Sequence, residues 1–196
     1  MLALPFLRRD SPILQGKRVK LRAPVMSDYR QWSRLRGESR PTLEPWEPAW
    51  APDELEYGPW RLRIGRYRED ITQGTGLPLF IFDASGETLY GGITLSTIRR
   101  GVAQTASLGY WIGARYAGQG YMQEAVRLVV NHAFDGLRLH RVEAACIPTN
   151  APSVRVLEKA GFQREGLARS YLKINGVWQD HCLYAIVESD LIPARI

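Results

Sequence analysis

The sequence predicts an α+β domain: a mixed, mostly antiparallel central sheet of about seven strands, flanked by helices, with one parallel strand pair near its middle. Three observations carry this. Strand-like segments joined by hairpin turns dominate the middle and end of the chain. One strand, helix, strand succession falls within about forty residues, from Ala106 to Ile147, which is the length of a parallel crossover unit. No composition shift, repeat or low-complexity segment divides the 196 residues, so residues 1–196 read as one domain.

Alternation over Arg18–Arg22 marks a half-buried strand, and Ser27-Asp28 offers a cap to a helix carrying Tyr29, Trp32 and Leu35. The next stretch, RPTLEPWEPAWAPDE from Arg40 to Glu54, holds Pro41, Pro45, Pro48 and Pro52 with Trp46 and Trp50. Such content does not suit a helix or a central strand, so an ordered aromatic loop is expected. From Glu54 to Gln73 the spacing of Leu55, Trp60, Ile64, Tyr67 and Ile71 is helical, and Gly74 and Gly76 stop it. Leu77–Phe82 and Leu89–Ser96 pair as a hairpin about the DASGE turn, which holds Gly86. Ala106–Ile112 is a strand, and Tyr121–Phe134 is an amphipathic helix with Met122, Ala125, Val126, Val129 and Ala133 on one face. Arg141–Ile147 closes the crossover beside 106–112. A short helix, Ala151–Ala160, ends at Gly161, and strands Phe162–Ile174 and Trp178–Val187 meet at Asn175-Gly176, a strong hairpin signal.

The length and the 45% hydrophobic content suffice for a core. The longest apolar runs fall far short of a membrane span, and Met1–Leu7 is too short, and lacks the basic start, for a signal peptide. A cytoplasmic chain with no membrane partner is expected. Cys146 and Cys182 lie in apolar strand-like segments, without CxxC spacing or clustered histidines, so buried free thiols are expected and no metal site. The net charge of +6 suits an anionic partner: nucleic acid, a ribosome or a phosphorylated cofactor. The basic residues are nevertheless scattered, in short clusters such as Arg8-Arg9, Lys17-Arg18 and Arg99-Arg100. Aromatic and basic residues do not interleave along one sheet, and direct nucleic-acid binding is not expected.

One stretch asks for a ligand. Arg115-x-x-Gly118-x-Gly120 lies between a strand and the first turn of a helix. Helix N-termini present unpaired N–H groups and a partial positive charge, and glycines let a phosphate approach without a side-chain clash. The spacing fits neither GxGxxG nor GxxxxGK[ST], and by itself it serves equally as a tight structural turn.

Thirty residues on stands NAPSVRVLEKAGF, Asn150 to Phe162, with the pattern N-x-x-S-x-x-x-x-x-x-G-F. The order and spacing of the glycine turn, helix, strand and this segment resemble the GNAT superfamily of N-acetyltransferases. Within it the chain is most similar to the ribosomal-protein-alanine N-acetyltransferases of RimJ/RimL type. That resemblance runs through LEPWEP (Leu43–Pro48), LGYWIG (Leu108–Gly113), HRVEA (His140–Ala144) and GFQREGLARSYLKINGVWQDH (Gly161–His181).

The resemblance implies a GNAT fold with a splayed parallel pair and acetyl-CoA as cosubstrate lying in the gap. Backbone N–H groups of Gly118, Gln119, Gly120 and Tyr121 would hold its pyrophosphate, with Arg115 either adding charge or facing solvent. Tyr110, Trp111 and Ile112 would offer main-chain groups to the pantetheine arm and the thioester carbonyl. Asn150 would bond the pantetheine and Ser153 would meet the sulfur, although both residues also suit a plain helix cap. Where some relatives carry a Glu on the strand after Gly161-Phe162, alignment on Asn175-Gly176 puts Leu172. The base candidates left are Glu44 and Glu47 in the tryptophan loop, Glu165, and Asp180 with His181.

Trp46 and Trp50 are the expected substrate wall. The leading acceptor implied by the resemblance is the N-terminal amine of a ribosomal protein, an alanine first. A small amine, such as an antibiotic or amino acid, is the alternative, and a non-catalytic nucleic-acid-binding or regulatory module is a third reading. Monomer and homodimer are both compatible with the sequence.

Overall fold

The computed structural model describes residues 11–191; Met1–Leu7 and the Arg8-Arg9 pair lie outside them. Eight strands form one sheet in the order β1-β2-β3-β4-β5-β6-β8-β7. They are β1 (Leu14–Gln15), β2 (Val19–Arg22), β3 (Leu77–Asp83), β4 (Leu89–Arg99), β5 (Thr105–Ile112), β6 (Arg141–Cys146), β7 (Gln163–Ile174) and β8 (Val177–Val187). Beyond the expected strands, the sheet gains only the two-residue β1. Four helices accompany it: α1 (Tyr29–Leu43), α2 (Tyr57–Gln73), α3 (Tyr121–Asp135) and α4 (Ala151–Lys159). Every neighbouring pair is antiparallel except β5 and β6, which the α3 crossover makes parallel.

Local chemistry sets most boundaries. Gly74 ends α2 in the left-handed region at φ 71°, where a Cβ would be costly. The β7–β8 turn has Asn175 at φ 42° and Gly176 at φ 82°, the two positive values a tight hairpin turn of this hand demands. In the β3–β4 turn one oxygen of Asp83 accepts N–H bonds from Gly86, Glu87 and Thr88.

One expectation is corrected and one refined. Residues 40–43 are not loop but the last turn of α1, with Pro41 inside the helix. So near the C-terminus Pro41 forfeits a single intrahelical bond, while the turn buries Leu43 and anchors Ser39, whose Oγ accepts the Ala114 N–H at 2.9 Å. Asp28 stands at the N-cap of α1 as expected, but its side chain makes no cap bond to that helix. Asp28 instead closes a 3-10 turn at Met26–Asp28, accepting the Val25 N–H at 2.8 Å and a bidentate Arg22 at 2.7 and 2.8 Å.

The core has two parts. The larger packs α3 and α4 against the sheet through Val126, Val129, Leu157, Leu108 and Ile186, with Cys146 and Cys182 buried in it as free thiols. The smaller is aromatic and lies under α1 and α2: Trp32 stacks on Trp60 at 4.7 Å, and Phe80, Phe82 and Trp111 complete it. Successive β5 residues face opposite sides of the sheet. Tyr110 therefore joins the α3/α4 side and Trp111 the aromatic side. No described helix is long and apolar enough to cross a membrane.

Candidate active site

The parallel pairing of β5 with β6 runs from Thr105 opposite Arg141 to Leu108 opposite Ala144, and there it stops. β5 continues through Gly109, Tyr110, Trp111 and Ile112 paired with β4 alone, while β6 continues to Cys146 paired with β8 alone. The strands part at the centre of the sheet. Backbone groups along the facing edge of Gly109–Ile112 are left without a strand partner, which suits them to bond an extended polar chain laid in the gap.

The start of α4 closes one side of that gap. Asn150 Oδ1 accepts the Ser153 N–H at 3.2 Å, so Asn150 is the helix cap. The Ser153 hydroxyl is not used in capping; it lies 2.8 Å from the Tyr110 hydroxyl. Burial pushes the Tyr110 phenol well above its usual range, against a smaller opposing effect of the Ser153 bond. The Tyr110 phenol is thus uncharged at neutral pH. The neighbouring Cys146 thiol is pushed up to about 11, again by burial first, and so is held as the thiol at neutral pH.

At the mouth of the gap the chain turns into α3. Gly118 and Gly120 sit at φ 74° and 82°, the left-handed region that glycine enters freely. The N–H groups of Gly118, Gln119 and Gly120 meet no acceptor among the described residues. A Cβ built on Gly118 would meet nothing within 4 Å, so the space beside Gly118 is open, whereas one built on Gly120 would meet Arg18 Nη2 at 3.1 Å. Unpaired N–H groups ahead of a fifteen-residue helix suit an anion such as a pyrophosphate.

Arg115 points elsewhere: its guanidinium pairs with Glu38 of α1. Arg18 braces the turn instead, donating to the Gln119 carbonyl at 2.9 Å and to Glu124 of α3 at 3.1 Å. Burial tends to raise the Glu124 carboxyl, but the Arg18 N–H and guanidinium outweigh it and hold the group below its usual range. The sequence offered only the Lys17-Arg18 dipeptide as a hint of this brace.

On the aromatic side a cavity of ≈ 400 Å³ opens against Gly109–Trp111 of β5. Trp32, Trp50, Trp111 and Tyr67 wall it, with Arg36, Glu47, Glu54 and Arg63. Of the two expected wall residues, Trp50 lines this cavity; Trp46 stands outside it, 37% exposed. Arg36, 6% exposed, is the residue that sequence reasoning missed. Its Nη1 and Nη2 donate to Oε1 and Oε2 of Glu47, both at 2.7 Å. A signal was present, because Trp32, Arg36, Ser39 and Leu43 share one helical face and all four are buried.

The candidate bases are each engaged. Glu44 pairs with Arg40 at 3.0 Å, Glu165 with Arg141, and Asp180 accepts the Ser170 N–H at 2.8 Å. His181 is buried, with Nδ1 2.9 Å from the Gln179 carbonyl. Only Glu47 of this set lines the cavity, and its carboxylate takes both Arg36 bonds and the Trp50 Nε1–H at 2.8 Å. Leu172 sits on β7, 43% exposed. Among the described residues no group of three or more His, Cys, Asp or Glu could hold a metal ion.

A parted parallel pair, a glycine turn opening the crossover helix and an aromatic cavity meeting the gap define the GNAT class of acyl-transferring folds. Residues 18–163 match the family model for the acetyltransferase (GNAT) domain, and the chain belongs to that N-acetyltransferase family. It is 42% identical to the probable N-acetyltransferase YjcK of Bacillus subtilis, over 91% of this chain and 98% of that protein. It is 34% identical to the ribosomal protein uS5-alanine N-acetyltransferase of Escherichia coli, over 81% of each. Among solved structures, Mycobacterium smegmatis RimJ in complex with CoA-disulfide superposes with a TM-score of 0.84 at 35% identity, covering 89% of this chain and 84% of that one.

Proposed function

We propose that the chain transfers the acetyl group of acetyl-CoA to the α-amino group at the N-terminus of a ribosomal protein, with alanine as the first residue. The observation that carries the choice of amine is that both carboxylates of the cavity are committed: Glu47 to Arg36 and Glu54 to Arg63. With no free carboxylate to take a proton, the acceptor must arrive with its lone pair available. An N-terminal amine, pKa about 7.7–8.0, meets that condition near neutral pH, and a lysine side chain near 10.4 does not. The Escherichia coli relative, named for the alanine of ribosomal protein uS5, supports the finer assignment.

The donors at Gly118–Tyr121 would take the pyrophosphate, and the unpaired edge of β5 would bond the pantetheine and the thioester oxygen as negative charge develops there. Attack by the amine forms the C–N bond and breaks the C–S bond. The thiolate receives a hydrogen bond from the Ser153–Tyr110 pair, and the proton of the new ammonium passes to water and from there to the thiolate. Thiol release with acetyl-CoA, measured on Ala-, Ser- and Thr-starting peptides beside lysine peptides and small amines, tests the reading. Turnover should be highest on the Ala-starting peptide. Equal or better turnover of a lysine peptide or a small amine overturns the acceptor, and no turnover of any amine overturns the reaction.

A further inference from the structure

Trp50 has little backbone to hold it. It lies in the segment between the 3-10 turn Glu44–Trp46 and α2, a stretch without strand or helix. What fixes its indole is a side-chain cluster. Trp50 Nε1 donates to Glu47 Oε2 at 2.8 Å, and the same carboxylate receives both terminal nitrogens of Arg36 at 2.7 Å. The Arg36 guanidinium then lies between two indoles, 4.3 Å from the Trp50 ring centre and 5.0 Å from that of Trp111. Trp111 belongs to β5, the strand that borders the gap. The Glu47 carbonyl also accepts the N–H of Asn175 at 2.9 Å, tying the loop to the β7–β8 turn.

We infer that Arg36 is a positioning residue for the acceptor: through Glu47 it fixes Trp50 as a wall of the cavity in register with Trp111, and Glu47 is a latch rather than the general base. This rests on the reading of the cavity as the acceptor site. A planar guanidinium meets a carboxylate with two parallel bonds while its faces stay free to stack, and a lysine ammonium does neither. Arg36 lines the cavity, but it is 6% exposed and both of its terminal nitrogens are taken by the Glu47 carboxylate. Its influence must pass through the groups it holds.

Steady-state kinetics of the full-length enzyme test this, with Arg36→Lys, Glu47→Gln and Trp50→Ala compared on whichever amine the wild type turns over best. Melting curves and acetyl-CoA titration by calorimetry accompany each variant. The expected result is a rise of about tenfold in the Michaelis constant for the amine in Arg36→Lys and Trp50→Ala, with acetyl-CoA affinity and kcat within about twofold of wild type. Glu47→Gln should keep the wild-type pH profile of kcat. Unchanged amine Michaelis constants in both Arg36→Lys and Trp50→Ala overturn the proposal, as does loss of the acidic limb of the kcat profile in Glu47→Gln, which would make Glu47 the base. Trp50, half-buried in a loop, keeps the test decisive should Arg36→Lys fail to fold. A wild type that prefers a small amine would refute the N-terminal acceptor, yet the latch is judged by the same comparison on that amine.

Discussion

Replacing Ser153 with alanine separates chemistry from scaffolding. The cap of α4 is the Asn150 side chain on the Ser153 N–H, which alanine keeps. The Ser153 hydroxyl lies 2.8 Å from that of Tyr110. Losing one neutral hydrogen bond costs about 1 kcal/mol, and alanine recovers a few tenths of a kcal/mol as the better helix former. The melting temperature should therefore fall by no more than about 2–4 °C in a domain of this size. Turnover should fall further. A hydrogen bond to a departing thiolate is charge-assisted and contributes about 1.5–3 kcal/mol, which corresponds to roughly ten- to a hundredfold in rate. Single-turnover thiol release beside a thermal melt reads both quantities, and acetyl-CoA affinity by calorimetry should change little. A rate within about twofold of wild type would refute the leaving-group role and leave Ser153 as a structural partner of Tyr110.

Gly118→Val places a β-branched residue at φ 74° on the open side of the turn, so calorimetry should show acetyl-CoA affinity lost in a folded protein; unchanged affinity would remove the pyrophosphate from this turn. Asn150→Ala deletes the α4 cap and should cost about 1 kcal/mol, read as a melting shift with the hairpin turn at 175–176 intact. Glu124→Gln tests the Arg18 brace by pH. The Glu124 carboxyl is held below its usual 4.5, so its contribution is present above that value and is lost as pH falls through the lowered one. The melting gap between wild type and variant should be open at pH 7 and close in acid, once the pH has passed below the lowered carboxyl value; a gap that widens in acid would contradict the brace.

The sequence by itself determined what neighbouring residues settle among themselves. The 3.6-residue spacing of Met122, Ala125, Val126, Val129 and Ala133 defines α3, and all five are buried. Gly74 ends α2, and Asn175-Gly176 turns the last hairpin, because those conformations depend on the residues at the turn. The glycine turn and the Asn150–Ser153 segment were legible as motifs for the same reason. Tertiary structure decided the rest, since each remaining feature joins residues far apart in the chain. Pro41 stays in α1 because Ser39 and Leu43 find partners in the fold. Arg115 pairs with Glu38 and leaves the bracing of the glycine turn to Arg18, across about a hundred positions. Tyr110 meets Ser153 only because β5 and β6 part and α4 closes the opening. Arg36, Glu47 and Trp50 come together only once α1 and the loop share the aromatic cavity. Periodicity assigns a residue to a face of an element, whereas partners across the fold are chosen by desolvation: a buried guanidinium must find a carboxylate, wherever in the chain that carboxylate lies.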